Sequence, residues 1–533
     1  MMLDRRSAVY SRRAFLRWSG SAALLSLVPS ALLGRSANLD TVCLIHTTDL
    51  HGNILPTSTY GGVPNVGGLA RCATRIKQWK AQNPHHMLLD MGDLYQGTDV
   101  GFRTKGQVMI RCLNHLGYDA WVPGNHEFDW GVEAFESALK ASDMPVICAN
   151  SRWDGQRVWN EREVGKTPLQ PWILKEVNGY KVAFVGLTTP GIPNWFLPEK
   201  LGEFRATDPV GALRMTLRQV EAAKPDAIIL GTHMGLRPGM TSDDTANRLF
   251  AIAEAFPQID AILGGHTHRD QPNQRVGRIP YTQANYFGIH VGRLDLVFDR
   301  DSRKLIHVQP MTSYMDGSVK LDPEVLSLTH DEVKASQAHL AESVGRLADR
   351  LSVETAPNRP SGIERLIGTA VVQGLNRRGI EVDACYHGLI YQDSPIEPGE
   401  KTIEDCWSIL PFENFVVTAQ FSRAQLIAIM QEAYNHRSLR SLIGFPKLEI
   451  RGQRGNRRFV SVKDKDGREW PDDRPIRVAI NSYDAASGGG RYTVLREVLE
   501  ESASQRKMHP LLVRSVMIDW IREQSPVRER DLL

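Results

Sequence analysis

Five short apolar runs, VCLI, HMLL, AWV, AIIL and AIL, are each followed closely by a string rich in Asp, Asn, His and Gly: TTDLHG, MGDLYQG, PGNHEFD, GTHMG and GGHTH. Short apolar runs closed by glycine-rich turns read as buried strands. Strands that all release such residues at their carboxyl ends call for a sheet with those ends together, which is where open α/β sheets hold ligands. The chain is therefore expected to be α/β, with Asp49, His51, Asp93, Asn125, His126, Asp129, His233, His266 and His268 on loops along one edge.

The residue types specify a chemistry. Hydrolysis of a phosphate ester by two metals needs cations roughly 3.5–4 Å apart, a carboxylate between them and an open side for water and substrate. Asp93 is the natural bridge. Imidazole and carboxylate donors suit zinc, manganese, iron or cobalt, and the cluster contains no cysteine, which argues against a closed structural zinc site. Two divalent ions are expected, with a hydroxide between them as nucleophile. His126 and Asp129 stand three apart directly after Asn125. An imidazole held by a carboxylate in this way can stabilise phosphoryl charge and give a proton to the leaving group. A single His behind an apolar run is more often an ordinary hydrogen-bonded residue, and His46, His85, His86, His115, His290 and those beyond it are read so.

The order DxHG, GD, GNHE, HxG, GHTH resembles the calcineurin-like metallophosphoesterases, and GDLYQGT with GNHEFDWG is similar to their extracytoplasmic 5′-nucleotidase branch. The resemblance covers nearly the whole chain after its first segment. It implies an N-terminal four-layer α/β/β/α sandwich and a smaller α/β C-terminal substrate domain, joined by a helix. It also implies that Asp49, His51, Asp93 and His268 hold one metal, that Asp93, Asn125, His233 and His266 hold the other, and that His126 and Asp129 form the catalytic dyad. The implied reaction is hydrolysis of phosphate monoesters, nucleoside 5′-phosphates foremost.

With 533 residues, two domains are expected. The net charge of +3, from 64 basic and 61 acidic side chains, gives no reason to propose nucleic-acid binding. Residues 11–17, SRRAFLR, form a twin-arginine string, and the apolar stretch from Trp18 to Leu33 is broken by serines, Gly20 and Pro29. That stretch is too short and interrupted to span a bilayer and reads as a Tat export signal, processed between Ser30 and Ala37. A periplasmic or otherwise extracytoplasmic protein follows, exported folded by the Tat translocase, with no stable membrane span after processing. The six cysteines show no CxxC spacing and read as buried thiols rather than a disulfide framework, with a single bridge after export as the alternative.

The expected organisation is a signal over 1–37, a dinuclear-metal domain over 38–321, an interdomain helix and linker over 322–355, a substrate domain over 356–523 and a surface or disordered tail over 524–533. GIHVGRLDLVFD (288–299) alternates like a half-solvated antiparallel edge strand. In the C-terminal domain the resemblance assigns the substrate's base to two rings, Phe412 in ILPFENF and Tyr483 in NSYDAASGGGRY, and assigns Arg359 to substrate binding. Two family strings depart from pattern. YHGLIYQDSP stands where NGGGxR is usual, with Asp393 at the Arg position, and GGGR (488–491) stands where GGDG is usual. Asp393 and Asp484 are the candidates to replace the missing contacts. Other readings on the same scaffold are a thiosulfohydrolase, disfavoured by the short loop from Ile54 to Asn65, a phosphoesterase for cyclic nucleotides, nucleotide sugars or sugar phosphates, and a non-catalytic metal-binding protein.

Overall fold

In the computed structural model, which describes residues 38–153, 156–157, 169–355, 360–389, 394–436, 440–452 and 456–533, side-chain alternation along the strands sets the layering. The export segment, Arg359 and Asp393 lie outside the described residues. On strand Leu39–Thr47, Val42 and Leu44 point into one core while Cys43 and Ile45 point into another. On Ala227–Thr232, Ala227 and Ile229 join Val42 and Leu44, while Ile228 and Leu230 face away. Two sheets thus share one core between them. The outer face of the first is covered by helices Leu69–Gln82, Gln107–Leu116 and Val132–Ala141. Helices Pro209–Ala222 and Leu249–Ala255 cover the second, giving four α/β/β/α layers.

The first sheet has seven strands in the order Leu305–Tyr314, His290–Asp299, Leu39–Thr47, His86–Asp90, Ala120–Trp121, Val146–Ile147, Leu169–Gln170. Its last five are parallel. The second sheet has six, in the order Asp270–Val276, Ile279–Ala284, Ala261–Gly264, Ala227–Thr232, Tyr180–Leu187, Trp172–Val177, and its four central strands are parallel. The five loops that carry the candidate ligands follow parallel strands, so the sheets bring them together.

The C-terminal domain is a five-stranded sheet, Ser441–Gly444, Ala384–His387, Ile476–Asn481, Phe415–Phe421, Lys507–Leu512. Helices Gly362–Arg377, Ile403–Ile409 and Val513–Gln524 pack on one face, and Arg423–Asn435 and Thr493–Glu500 on the other. Ser361 and Glu364 close a capping box that starts Gly362–Arg377.

Three expectations are corrected. Strand His290–Asp299 is not an edge, since it pairs antiparallel with both Leu39–Thr47 and Leu305–Tyr314. Its alternation reflects burial on one face only, which edge and interior antiparallel strands share. The interdomain helix is not one long helix to residue 351. It divides into Pro323–Leu328 and His330–Leu340 at Thr329, whose φ of −113° leaves the helical region and whose hydroxyl donates to the Val325 carbonyl. Residues Ser343–Leu347 then form a strand on Gly399–Thr402, burying Val344 and Leu347 in the C-terminal core. The tail is ordered: Val527 and Leu532 are buried, and the Arg365 guanidinium donates to the carbonyls of Glu529, Leu532 and Leu533. All six cysteines are buried and unbridged. No helix among the described residues is long and apolar enough to cross a membrane.

Candidate metal centre and active site

The loops take backbone shapes that few residues adopt. Asp49, His51, Asp93, His266 and His268 all have left-handed φ, between 49° and 72°. Non-glycine residues rarely sit there unless surrounding structure holds them. Glycines let the ligand loops close on one another. A Cβ on Gly124 would stand 2.3 Å from Asp93 Oδ1 and 2.7 Å from His233 Cε1, and one on Gly265 would stand 2.5 Å from the Thr48 hydroxyl. The glycines of GNHE and GGHTH are therefore demanded by contact with the neighbouring ligand loops.

Two groups of side chains bring ligand atoms within 4.8 Å of one another: Asp49, His51, Asp93 and His268, and Asp93, His233 and His266. Asp93 belongs to both. His51 Nε2 is 3.0 Å from His268 Nε2 and 3.7 Å from Asp93 Oδ2. His268 Nε2 is 3.4 Å from Asp49 Oδ1, and His233 Nε2 is 3.0 Å from Asp93 Oδ2. Three of the imidazoles are aimed by their other nitrogen. Nδ1 of His51 donates to the Gln96 carbonyl at 2.8 Å, and Nδ1 of His233 to the Met91 carbonyl at 2.6 Å. Nδ1 of His268 lies 2.9 Å from the Tyr60 hydroxyl. Such outer partners fix tautomer and ring direction in metal sites. Burial pushes His51 and His266 down to about 3 and keeps both neutral, the ligating form.

The donor set fits divalent cations that accept imidazole and carboxylate. One ligand-type atom supports the fit: Asn125 Oδ1 is buried and makes no hydrogen bond. Leaving a buried polar group unpaired costs about 1–3 kcal/mol, a cost that cation binding removes.

His126 and Asp129 meet through a short Nδ1 to Oδ2 hydrogen bond. Burial opposes charge on the ring, but the carboxylates of Asp129 and then Asp93 outweigh it and hold His126 up to about 10 in the metal-free protein. The His126 backbone N–H donates to Asp93 Oδ1 at 2.8 Å, tying the dyad to the shared carboxylate. From the C-terminal domain, Phe412 stacks on His126 with centroids 6.0 Å apart and planes 14° apart. Tyr483 accepts from Arg491 Nη2 at 3.1 Å, beside the triple-glycine turn. Gly489 of that turn donates its N–H to the Asn194 carbonyl at 3.0 Å, and neighbouring Trp195 leans over His266 at 5.1 Å. The C-terminal domain therefore meets His126 directly through Phe412, and meets His266 indirectly, through the Asn194–Trp195 segment of the N-terminal domain. Asp484 is not available for substrate hydroxyls: it is fully buried and held by a two-pronged Arg440 pair at 2.8 and 3.0 Å.

Several residues at the centre carried no signal that sequence reasoning used. Glu127 accepts the backbone N–H groups of Asp93, Leu94 and Gly124 and so shapes the bridging loop, although it stands inside GNHE. Thr48 donates to Asp49 Oδ2 at 2.6 Å. Lys200 is buried, donates to the Asp129 carbonyl and lies 4.4 Å over the Phe415 ring. Tyr60 and Lys200 belong to no string that the spacing singled out.

The model of the family described as calcineurin-like phosphoesterase matches residues 44–270. Snake venom 5′-nucleotidase of Crotalus adamanteus is 31% identical over 459 residues, covering 79% of this chain and 74% of that protein. The chain belongs to the calcineurin-like phosphoesterases. Within that family the trifunctional nucleotide phosphoesterase YfkN of Bacillus subtilis is 28% identical over 292 residues, 48% of this phosphoesterase and 19% of YfkN's own length. A putative 5′-nucleotidase from Staphylococcus aureus shares the fold at a TM-score of 0.73 and 20% identity, over 91% of this chain and 97% of its own. The sulfate thiohydrolase SoxB from Thermus thermophilus shares it at 0.62 and 18%, over 91% and 95%.

Proposed function

We propose that this phosphoesterase hydrolyses phosphate monoesters, nucleoside 5′-phosphates foremost, at a site for two divalent cations. Asp49, His51, Asp93 and His268 are assigned to one cation, and Asp93, Asn125, His233 and His266 to the other. The observation that carries this reading is Asp93, whose carboxylate belongs to both ligand groups. Cations bound there supply Lewis acidity and an activated water. His126, aimed by Asp129 through Nδ1, keeps Nε2 as the atom that stabilises the phosphoryl oxygens and passes a proton to the leaving oxygen. Phe412 covers one face of that ring and limits water there. Phe412 and Tyr483 are assigned to the base, with Arg359 as a further substrate contact. With Asp484 committed to Arg440, the expected preference for nucleotides over simple esters is weak.

The test is a turnover screen of the mature chain, loaded with manganese or zinc, against nucleoside 5′-phosphates, cyclic nucleotides, sugar phosphates, p-nitrophenyl phosphate and thiosulfate. Highest kcat/KM on a nucleoside 5′-phosphate is expected. Turnover of thiosulfate alone moves the chain to sulfur chemistry, and bound metal without any turnover makes it a binding protein. Export as a folded protein through the Tat pathway is part of the same proposal, supported by the SRRAFLR string. Replacing Arg12 and Arg13 with Lys should hold the protein in the cytoplasm, and undiminished export of that variant overturns this part.

A further inference from the structure

The two domains are tied by one buried polar chain that ends on a metal-ligand candidate. Arg514, on helix Val513–Gln524, stacks its guanidinium 3.4 Å over Trp407 and donates to the Leu410 carbonyl at 2.6 Å. Its Nη2 donates to Glu413 Oε1 at 2.8 Å. The other oxygen, Glu413 Oε2, accepts from Gln96 Nε2 at 2.7 Å. Gln96 belongs to the N-terminal domain, and its carbonyl accepts the Nδ1–H of His51. Arg514, Glu413 and Gln96 are all at most 4% exposed. A buried carboxylate holding one cationic and one neutral donor is strongly directional, because either donor left behind would be an unpaired buried group.

We propose that Glu413 is a positioning residue for the metal centre: seating of the C-terminal domain fixes Gln96, and through its carbonyl the ring of His51. The inference deepens the function proposed above and rests on His51 being a ligand. Three features support it. The hydrogen bond from His51 runs to the backbone of the same residue whose side chain is clasped across the domain boundary. Phe412, the neighbour of Glu413, stacks on the dyad imidazole, so one short segment meets both halves of the machinery. Gln96 follows Asp93 in the same loop, so a shift of its peptide is passed to the shared carboxylate. The domain boundary is thus part of the outer support of the metal site, as well as a wall for substrate.

Outer-shell partners of metal ligands are worth about ten- to a hundredfold in metal affinity or activity. Glu413→Gln keeps the shape and one acceptor for Arg514 but turns an amide donor toward the Gln96 amide. The expected result is a metal dissociation constant, read by chelator competition, raised about tenfold or more, with kcat lowered equally for a nucleotide and for p-nitrophenyl phosphate and KM for the nucleotide little changed. The double variant Gln96→Glu with Glu413→Gln restores a donor–acceptor pair with reversed polarity and is expected to recover most of the metal affinity. A wall or clamp role alone predicts raised KM for the nucleotide with metal affinity unmoved, and that result overturns the proposal, as does failure of the double variant to recover affinity beyond Glu413→Gln. If Glu413→Gln unfolds, Gln96→Leu cuts the same tie without leaving Arg514 unpaired, and unchanged metal affinity in that variant overturns the proposal equally. Metal affinity is measured without turnover, so a native chain inactive on every ester would sink the proposed reaction and leave this test standing.

Discussion

Replacing Gly124 with Ala adds one methyl group at the most crowded point of the centre. Gly124 does not have a left-handed φ, so Ala fits its backbone and the perturbation is steric alone. The new Cβ would stand 2.3 Å from Asp93 Oδ1, 2.6 Å from the Asp93 nitrogen and 2.7 Å from His233 Cε1. Real Cβ atoms do not approach within 3.0 Å, so Asp93 and His233 must retreat by several tenths of an ångström. Overpacking costs about 1–3 kcal/mol, while Ala in place of Gly returns about 0.4–1 kcal/mol through the unfolded chain. The net loss of stability therefore lies between about zero and 2.6 kcal/mol. Catalysis is more sensitive, since a misplacement near 1 Å costs about 10²-fold. The expected Gly124→Ala protein is folded, holds less metal and hydrolyses p-nitrophenyl phosphate roughly thirty- to a hundredfold more slowly. Gly61→Ala is the control, because a Cβ there meets nothing nearer than 3.7 Å. Metal content by plasma emission, kcat and a urea midpoint decide the matter. Native metal content and kcat within threefold of native would refute the reasoning.

Asp93→Asn should abolish activity and release metal, because the shared carboxylate supplies the charge that holds two cations together; two ions per chain with near-normal turnover would contradict the assignment. His126→Ala should keep its metal and lose about 10²–10⁴ in kcat, and loss of metal would make His126 a ligand instead. Burial holds His387 down to about 4, against an ordinary value of 6.5. Between pH 6.5 and pH 5 the unfolded chain takes up a proton there that the native chain refuses, so this residue lowers stability as pH falls, by about 2 kcal/mol at pH 5. His387→Phe should remove that share of the acid sensitivity in urea titrations, and identical pH slopes for the two proteins would refute it.

The first half of the fold was legible because each ligand string sits directly behind its strand, so a local pattern named both the element and the chemistry. Asp49, His51, Asp93, His233, His266 and His268 were all read as ligand candidates in this way, and the structure gathers their side chains into two groups that share Asp93. What stayed hidden depends on distant partners. Tyr60 reaches His268 across 208 positions, and Gln96 reaches Glu413 across 317, with no periodicity to announce either. The long interdomain helix failed for a local reason of another kind: SVGRL carries the few apolar residues that a helix end also tolerates, and only pairing with Gly399–Thr402 makes it a strand. The tail looked polar because Arg528, Glu529, Arg530 and Asp531 outnumber Val527 and Leu532, the two that are buried. Asp484 looked available because Arg440, which holds it, lies 44 positions away.

The left-handed backbone of five ligand candidates has a practical consequence for how an inactive form of this protein is made. Asn and Gly enter that conformation readily, whereas a side chain such as Ala meets a cost of about 1–2 kcal/mol. An Ala scan of Asp49, His51, Asp93, His266 and His268 therefore removes a donor and penalises the turn in the same stroke, and its results mix lost chemistry with altered loop shape. Asn at 49 or 93 keeps the turn, removes the charge and exchanges one acceptor oxygen for an amide donor. Two collections of dead variants, one in Ala and one in Asn or Gly, would look alike in an activity assay and differ in the shape they present to substrate.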